Sequence, residues 1–418
     1  MLTAGELKVQ TPGARADDAS GLRTHGSFNK AYVNLGEALG DHGVAYVSYN
    51  TYPGWRLRQV VREAMLFHAG AHADTTQRLT QGRAFLQFMQ QASDPASIFG
   101  QMLKIESDMI AGYRDDYVLH EHLEQYNAPC YFKDFMAQAE VHRLAYLGEA
   151  NFIEMLPQHF SPEVQRTLGQ ASGGNIILTE QYMDFLRNRY FRQTLLVRGE
   201  RLNDIQRNIR AEQLATFQLC ANIKTQRDVN VTSSTLATFE SAQGRTLDVT
   251  EPIIKAALLI LGQHYPKTMA FDALFAAAAE QSNSAQTQRN TLLNALLALT
   301  LNGLLELQTQ ALEFAGAAHP QPRAIAFARH QARADASVTN QRHEQVALNP
   351  FQVALLAVTD GEHSGAQIEQ RLTQQCVAGE SGLQRGGIAL NDAASLAALM
   401  PGLVEENLRL LETAALLE

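Results

Sequence analysis

The clearest chemistry in the chain lies in one short run, Tyr49-Asn-Thr-Tyr-Pro-Gly-Trp55, which holds the only tryptophan among 418 residues. Aromatic faces can stack on a base or hold an amine cation through the ring quadrupole. The carboxamide of Asn50 offers two donors and an acceptor to a polar group. Tyr49, Asn50, Tyr52 and Trp55 are therefore the candidate substrate-binding residues. The run follows directly on an apolar stretch that reads as a buried strand over Val44–Tyr49. Pro53-Gly54 supplies a turn, and Arg56 opens a basic helix. A strand that ends this way is where an open α/β sheet places its ligand crevice. A second reading has the same aromatics packing the strand-to-helix corner.

Other constellations are weaker. Neither GxGxxG nor GxxxxGK[ST] occurs, so no residue is assigned to cofactor binding. His120-Glu121-His122 with Glu124 has a metal-like look, but two ligands on one helix face require a spacing of four, and position 124 is glutamate. That segment is expected to be a solvated helix surface, and no metal site is assigned. His68, His159 and His264 are expected to be packing or surface residues. No nucleophile–base pair can be named, so no catalytic residue is assigned. Cys130, Cys220 and Cys376 lie far apart and make no disulfide framework, which fits a reducing, cytoplasmic setting.

The elements that must position these residues are mostly helical. Residues 1–24 read as a loose leader, and a helix is expected over Phe28–Leu39, stopped at Gly40. A lone strand at Val44–Tyr49 cannot satisfy its own backbone groups. Its partner is expected from elsewhere in the chain, a second protomer or another polypeptide. From Arg56 to Glu140 the periodicity is helical, with apolar stripes at Val60, Val61, Ala64, Met65 and His68, at Phe85, Phe88 and Met89, and at Met102, Ile105, Met109 and Ile110. Arg56, Arg58 and Arg62 flank the first stripe. Helix is expected to continue over Gln181–Val197 after a Gly173-Gly174 loop. Residues 240–310 read as three helices and a strand, the winged-helix order, and a last helical unit starts at Asn349-Pro350. The third helix of that segment carries Arg289 and no lysine, and net charge is -9. Nucleic acid is therefore not an expected partner. No apolar run reaches the roughly 18 residues of a membrane span.

Several stretches together resemble one bacterial family: GVAYVSYNTYPGWRLRQVVREAMLFHA (43–69), HEHLEQYNAPCYFKDFMAQA (120–139), LAYLGEANF (144–152), EQYMDFLRNRYFRQTLLVR (180–198) and VTNQRHEQVALNPFQVALLAVTDG (338–361). They are similar to class I S-adenosylmethionine-dependent methyltransferases with a methyltransferase regulatory domain behind the catalytic fold. Rickettsial protein lysine methyltransferases share this layout. The resemblance implies a mainly α chain with a small α/β N-terminal remnant. It implies a Rossmann-like remnant at 25–55, a regulatory helical domain at 56–140 and a helical extension at 141–239. A winged-helix-like domain and linker at 240–345 and a C-terminal helical domain at 346–418 would follow. The family's glycine-rich loop stands upstream of the GVAYVSYN strand, and residues 1–42 contain no match to it. The expectation is a regulatory and substrate-recognition part of a truncated or split methyltransferase, not catalytic alone. It would bind no cofactor by itself, and S-adenosylmethionine only when completed by a catalytic half. A non-catalytic interaction module of the same descent is the alternative. Expected partners are a separate catalytic polypeptide or a second copy of the chain, and a protein substrate, with no membrane.

Overall fold

The computed structural model describes residues 7–10, 38–70, 72, 74–314, 319–378, 384–385, 388–389 and 392–418. They fall into two compact units, Met1–Arg207 and Asn208–Glu418. Helices predominate, joined by small antiparallel sheets. The expected helix at Phe28–Leu39 lies almost entirely outside the described residues.

The first unit is built on a sheet of strands β1 (Leu7–Gln10), β2 (Val44–Asn50), β3 (Leu144–Glu149) and β4 (Phe191–Arg198), in the order β1-β2-β4-β3. All neighbours are antiparallel. β2 and β3 therefore run in the same direction on either side of β4, and their carboxyl ends share one edge. Of the three expected sources of a partner for the Val44–Tyr49 strand, the chain itself supplies it. β2 pairs with β4 from Ala45 opposite Leu196 to Asn50 opposite Phe191, and with β1 from Val44 to Val47. The leader reading is corrected at Leu7–Gln10, which is strand.

The partner strand lies within Gln181–Val197, a run whose pattern reads as helix. The helix stops at Arg187, where Asn188 adopts a left-handed conformation with φ of 48°. In β4 the buried positions are Arg192, Thr194, Leu196 and Val197, so two polar residues mask the period of two. The helical extension expected at 141–239 likewise gives way to β3 and β4, followed by short strands.

Between β2 and β3 the chain makes α1 (Trp55–Ala69), α2 (Thr75–Ala92), α3 (Ile98–Ala111), α4 (Asp115–Glu121) and α5 (Phe132–Val141). Asp74 caps α2 by accepting from the Gln77 amide at 2.7 Å, and Ser97 caps α3 by accepting from Gly100 at 2.9 Å. The buried faces are rotated from the expected stripes. On α1 they are Trp55, Arg58, Val61, Arg62, Met65 and Ala69, and on α3 Gly100, Leu103, Glu106 and Ile110. Val60, Phe88 and Ile105 are exposed. The physical reason is that α1 turns Arg58 and Arg62 inward beside Val61 and Met65, which stay on the buried face. After β3, α6 (Pro162–Ser172) and α7 (Ile176–Arg187) lead into β4. A core of Val47, Tyr49, Phe132, Phe135, Tyr146 and Leu196 fills the space between the sheet and α5.

In the second unit, α8 (Pro252–His264), α9 (Phe271–Ser282) and α10 (Arg289–Leu301) pack into one core. The strand expected after the three helices of the 240–310 segment is present as Glu306–Gln308. Lys255 is wholly buried on α8, its ammonium donating to the carbonyls of Asn230, Ser233 and Thr235 at 2.6–2.9 Å. A separate core holds the helices at Pro350–Val358, Gly365–Val377 and Ala393–Thr413. Among the described residues no helix is long and apolar enough to cross a membrane.

Candidate functional site at the carboxyl end of β2

Beyond Asn50 the chain turns under two other segments. The Thr51 amide donates to the Tyr190 carbonyl at 2.9 Å, the Tyr52 amide to Cys130 at 3.2 Å, and the Gly54 amide to Arg189 at 2.8 Å. Thr51 Oγ1 also donates to the Cys130 carbonyl at 2.8 Å. Gly54 is required by this close approach, since a Cβ there would lie 2.2 Å from the Asn188 oxygen. Strand β2, the 127–131 segment and the start of β4 thus converge on one corner.

Beneath the turn lies a buried polar cluster. Asn50 Nδ2 donates to Glu121 at 2.6 Å and to Asn127 Oδ1 at 3.2 Å. Glu121 and His122 are 4% and 0% exposed. This corrects the expectation of a solvated surface at 120–122: α4 ends at Glu121, and the chain then turns inward under α1, leaving only His120 and Glu124 outside. Trp55 is buried against the His122 ring, with centroids 6.5 Å apart, and the Arg58 guanidinium lies 5.8 Å from the indole. Arg58 faces Glu106 at 3.8 Å, and Arg62 donates to the Glu124 carbonyl. Burial pushes the Glu121 carboxyl up. Burial, then Arg58, Arg62 and Arg83, push His122 down to about 4, so its ring is neutral. Neither of its nitrogens has a partner among the described residues.

On the neighbouring face, Arg192 at the start of β4 is fully buried among three carboxylates. Its guanidinium meets Glu149 at 2.6 Å, Glu180 at 2.9 Å and Asp184 at 2.8 and 2.9 Å. Tyr49 Oη donates to Thr194 Oγ1 at 3.3 Å, which in turn donates to Glu149 at 3.0 Å. Burial pushes Glu180 up to about 7 and Asp184 to about 6, against the pull of Arg192.

The expected site residues therefore separate. Tyr49, Asn50 and Trp55 are 1–2% exposed and internally engaged. Tyr52 is half-buried, and only its ring reaches the surface side of the corner. There it meets Tyr131, at a centroid distance of 5.3 Å, and Tyr131 meets Phe185 at 5.8 Å. Nothing in the sequence analysis joins Tyr131 or Phe185 to this turn; the available signal is the recurrence of tyrosine and phenylalanine in the 120–139 and 181–197 stretches, far apart in the chain. The Asn50 amide is engaged by Glu121 and Asn127, and the indole is buried. No group of three or more metal-capable side chains forms among the described residues.

Comparison with known proteins bears on this architecture. The family model "Predicted methyltransferase regulatory domain" matches residues 114–198, covering α4 through β4. The family model "PKMT, C-terminal winged helix domain" matches residues 320–416, beyond the segment whose helix order suggested a winged helix. Uncharacterized protein RP789 of Rickettsia prowazekii is 30% identical over 370 residues, covering 86% of this chain and 66% of that protein. Uncharacterized protein sll1526 of Synechocystis is 27% identical over 44% of this chain and 36% of its own length. The chain thus spans less than two thirds of these curated relatives. The structure of PKMT2 from Rickettsia typhi in complex with AdoHcy superposes with a TM-score of 0.81 at 25% identity, over 95% of this chain and 78% of that one. The chain thus carries matches to the methyltransferase regulatory domain and to the PKMT C-terminal winged helix domain, and together with this structural match they are consistent with a PKMT-like methyltransferase.

Proposed function

We propose that the chain serves S-adenosylmethionine-dependent methylation of protein lysine, supplying the regulatory and substrate-recognition surface. The methyl donor is held by a methyltransferase segment outside the corner described here, on the same or another polypeptide. The observation that carries this reading is the convergence of the end of β2, the 127–131 segment and the start of β4 on one aromatic corner. Support comes also from the AdoHcy bound by the Rickettsia typhi protein. Tyr52 presents an aromatic face to substrate, while Tyr49, Asn50 and Trp55 set the shape of the corner from below. The chemistry the donor supplies is an electrophilic methyl group. This chain's residues bind and orient the substrate side chain.

The test is methyl transfer to protein lysine by the chain alone and by the chain co-expressed with a methyltransferase polypeptide that carries a glycine-rich loop. Transfer that needs both chains supports the reading, and transfer by neither removes it. A non-catalytic interaction module is the second reading, favoured by the internal engagement of Asn50 and Trp55. It predicts no donor binding by calorimetry with or without a partner polypeptide.

A further inference from the structure

Seven arginines lie over aromatic rings among the described residues. Six of them also hold a carboxylate or a backbone carbonyl: Arg58 faces Glu106, Arg187 and Arg207 donate to carbonyls, Arg192 and Arg342 sit among carboxylates, and Arg289 pairs with Asp272. Arg56 is different. Its guanidinium lies 4.3 Å from the centroid of Tyr52 and 5.9 Å from that of Tyr131, and its one hydrogen bond goes to the Tyr131 hydroxyl at 3.4 Å. It makes no ion pair among the described residues and is exposed to water. An exposed guanidinium free to take any direction rests on two ring faces. Those faces form a cation site whose present occupant is weakly held.

The site is extended by Phe185, which is 49% exposed and packs on Tyr131, and by Tyr182 one turn earlier on α7, at 39%. Tyr52 is anchored from behind by donating to Gln59 at 3.1 Å, so the ring presents a fixed face. The surface lies at the exit of β2, where the turn meets the 127–131 segment and the start of β4.

We propose that the Tyr52–Tyr131–Phe185 surface binds the side-chain ammonium of a lysine in a protein substrate, and that Arg56 occupies it as an internal stand-in that the substrate displaces. The identity of the cation as a substrate lysine rests on the methyltransferase reading, whereas cation binding itself does not. A lysine stem covers the apolar edge of Phe185 while its ammonium takes the place of the guanidinium. An internal competitor lowers apparent affinity by the fraction of time it occupies the site, so its removal must tighten binding.

The experiment is an NMR titration of the full chain, with tyrosine rings labelled, by Nα-acetyl-lysine methylamide and by its neutral isostere Nα-acetyl-norleucine methylamide. No methyl donor is present. The lysine compound is expected to move the Tyr52 and Tyr131 ring signals and to bind about fivefold tighter than the norleucine compound. Arg56→Gln is expected to tighten the lysine compound roughly threefold or more, and Phe185→Leu, at an exposed position, to weaken it. Equal affinity for the two compounds, ring signals that neither compound moves, or no effect of Arg56→Gln would overturn the proposal. Because no transfer is read, retained cation binding in a chain that never supports methylation strikes only the methyltransferase reading. Methylation with no cation preference strikes only this site.

Discussion

The carboxamide of Asn50, at the last residue of β2, donates to the carboxylate of Glu121 at 2.6 Å across 71 residues of sequence. One hydrogen bond thereby ties the end of the sheet to the end of α4, and both partners are almost fully buried. Glu121 is held above the ordinary carboxylate range by burial first, with Asn50, His120, Arg58 and Arg62 pulling it down.

A carboxyl group whose value is raised in the fold binds its proton more tightly there than in the unfolded chain. Its contribution is full below the unfolded value and is lost as pH rises through the folded one. Glu121→Gln keeps the acceptor for Asn50 and removes that titration. It should leave stability at pH 7.5 equal or higher and flatten the acid side of the profile. Glu121→Ala, which orphans the Asn50 donor in part, should cost about 1–3 kcal/mol. Urea unfolding at several pH values separates the two. A Gln variant as damaged as the Ala variant would mean that Arg58 and Arg62 need the charge.

The Arg192 cluster titrates in the same direction. Glu180 is raised to about 7 and Asp184 to about 6, both by burial first. The wild-type chain should therefore lose roughly 2–3 kcal/mol between pH 5 and pH 8 from Glu180, and Glu180→Gln should remove most of that slope. Arg192→Met strands three carboxylates at 0–1% exposure and should cost about 3–5 kcal/mol at neutral pH. The loss should shrink on acidification, as the stranded carboxylates take up protons. Thermal unfolding from pH 5 to 8 tests both, and a cost for Arg192→Met that does not change with pH would contradict the assignment.

How much of this was legible depends on what each signal measures. Helix starts at Pro252, Asn349-Pro350 and Ser364 were readable, because proline and capping side chains act locally; Asn349 and Ser364 each form a capping box with a glutamine three residues on. The end of β2 was readable from Pro53-Gly54 for the same reason. The inward faces of α1 and α3 were not, since Arg58, Arg62 and Glu106 are buried against the binary pattern and become tolerable only with partners, Arg58 beside Glu106 and Arg62 at the Glu124 carbonyl. β4 was missed because Arg192 and Thr194 occupy core positions, satisfied by Glu149 from β3. Long-range pairing of charges leaves no periodic trace in either segment. The rings of Tyr131 and Phe185 were visible as composition, but their meeting with Tyr52 is a tertiary fact.

Gly54 tests the corner's backbone. A methyl group there would meet the Asn188 oxygen at 2.2 Å and the Arg189 carbon and oxygen at 2.7 Å. None of these atoms is the tip of a flexible side chain, so the α7–β4 turn has to move. Gly54→Ala should cost about 1–3 kcal/mol. It should also raise hydrogen exchange at the Gly54 amide, which now donates to the Arg189 carbonyl at 2.8 Å. Wild-type stability in that variant would show that the corner tolerates separation.

Trp55 decides between the two readings of the aromatic turn. The indole is 1% exposed and is flanked by His122 and Arg58, so it has no free face for a ligand. Trp55→Ala should cost about 3–5 kcal/mol, the range for deleting a large buried aromatic. Trp55→Phe keeps most of the volume and should cost much less. As the only tryptophan in the chain, Trp55 also reports on itself. Its emission should be blue-shifted in the folded protein and move red on urea unfolding in step with loss of helix. Tyr52→Ala should behave oppositely, with nearly native stability and weakened cation binding, because its ring lies on the surface side. If Trp55→Phe left stability intact and abolished partner-dependent methylation, the indole would have to open toward substrate in the working complex. The corner would then be a moving part, and the buried His122 behind it the group that gains solvent when it moves.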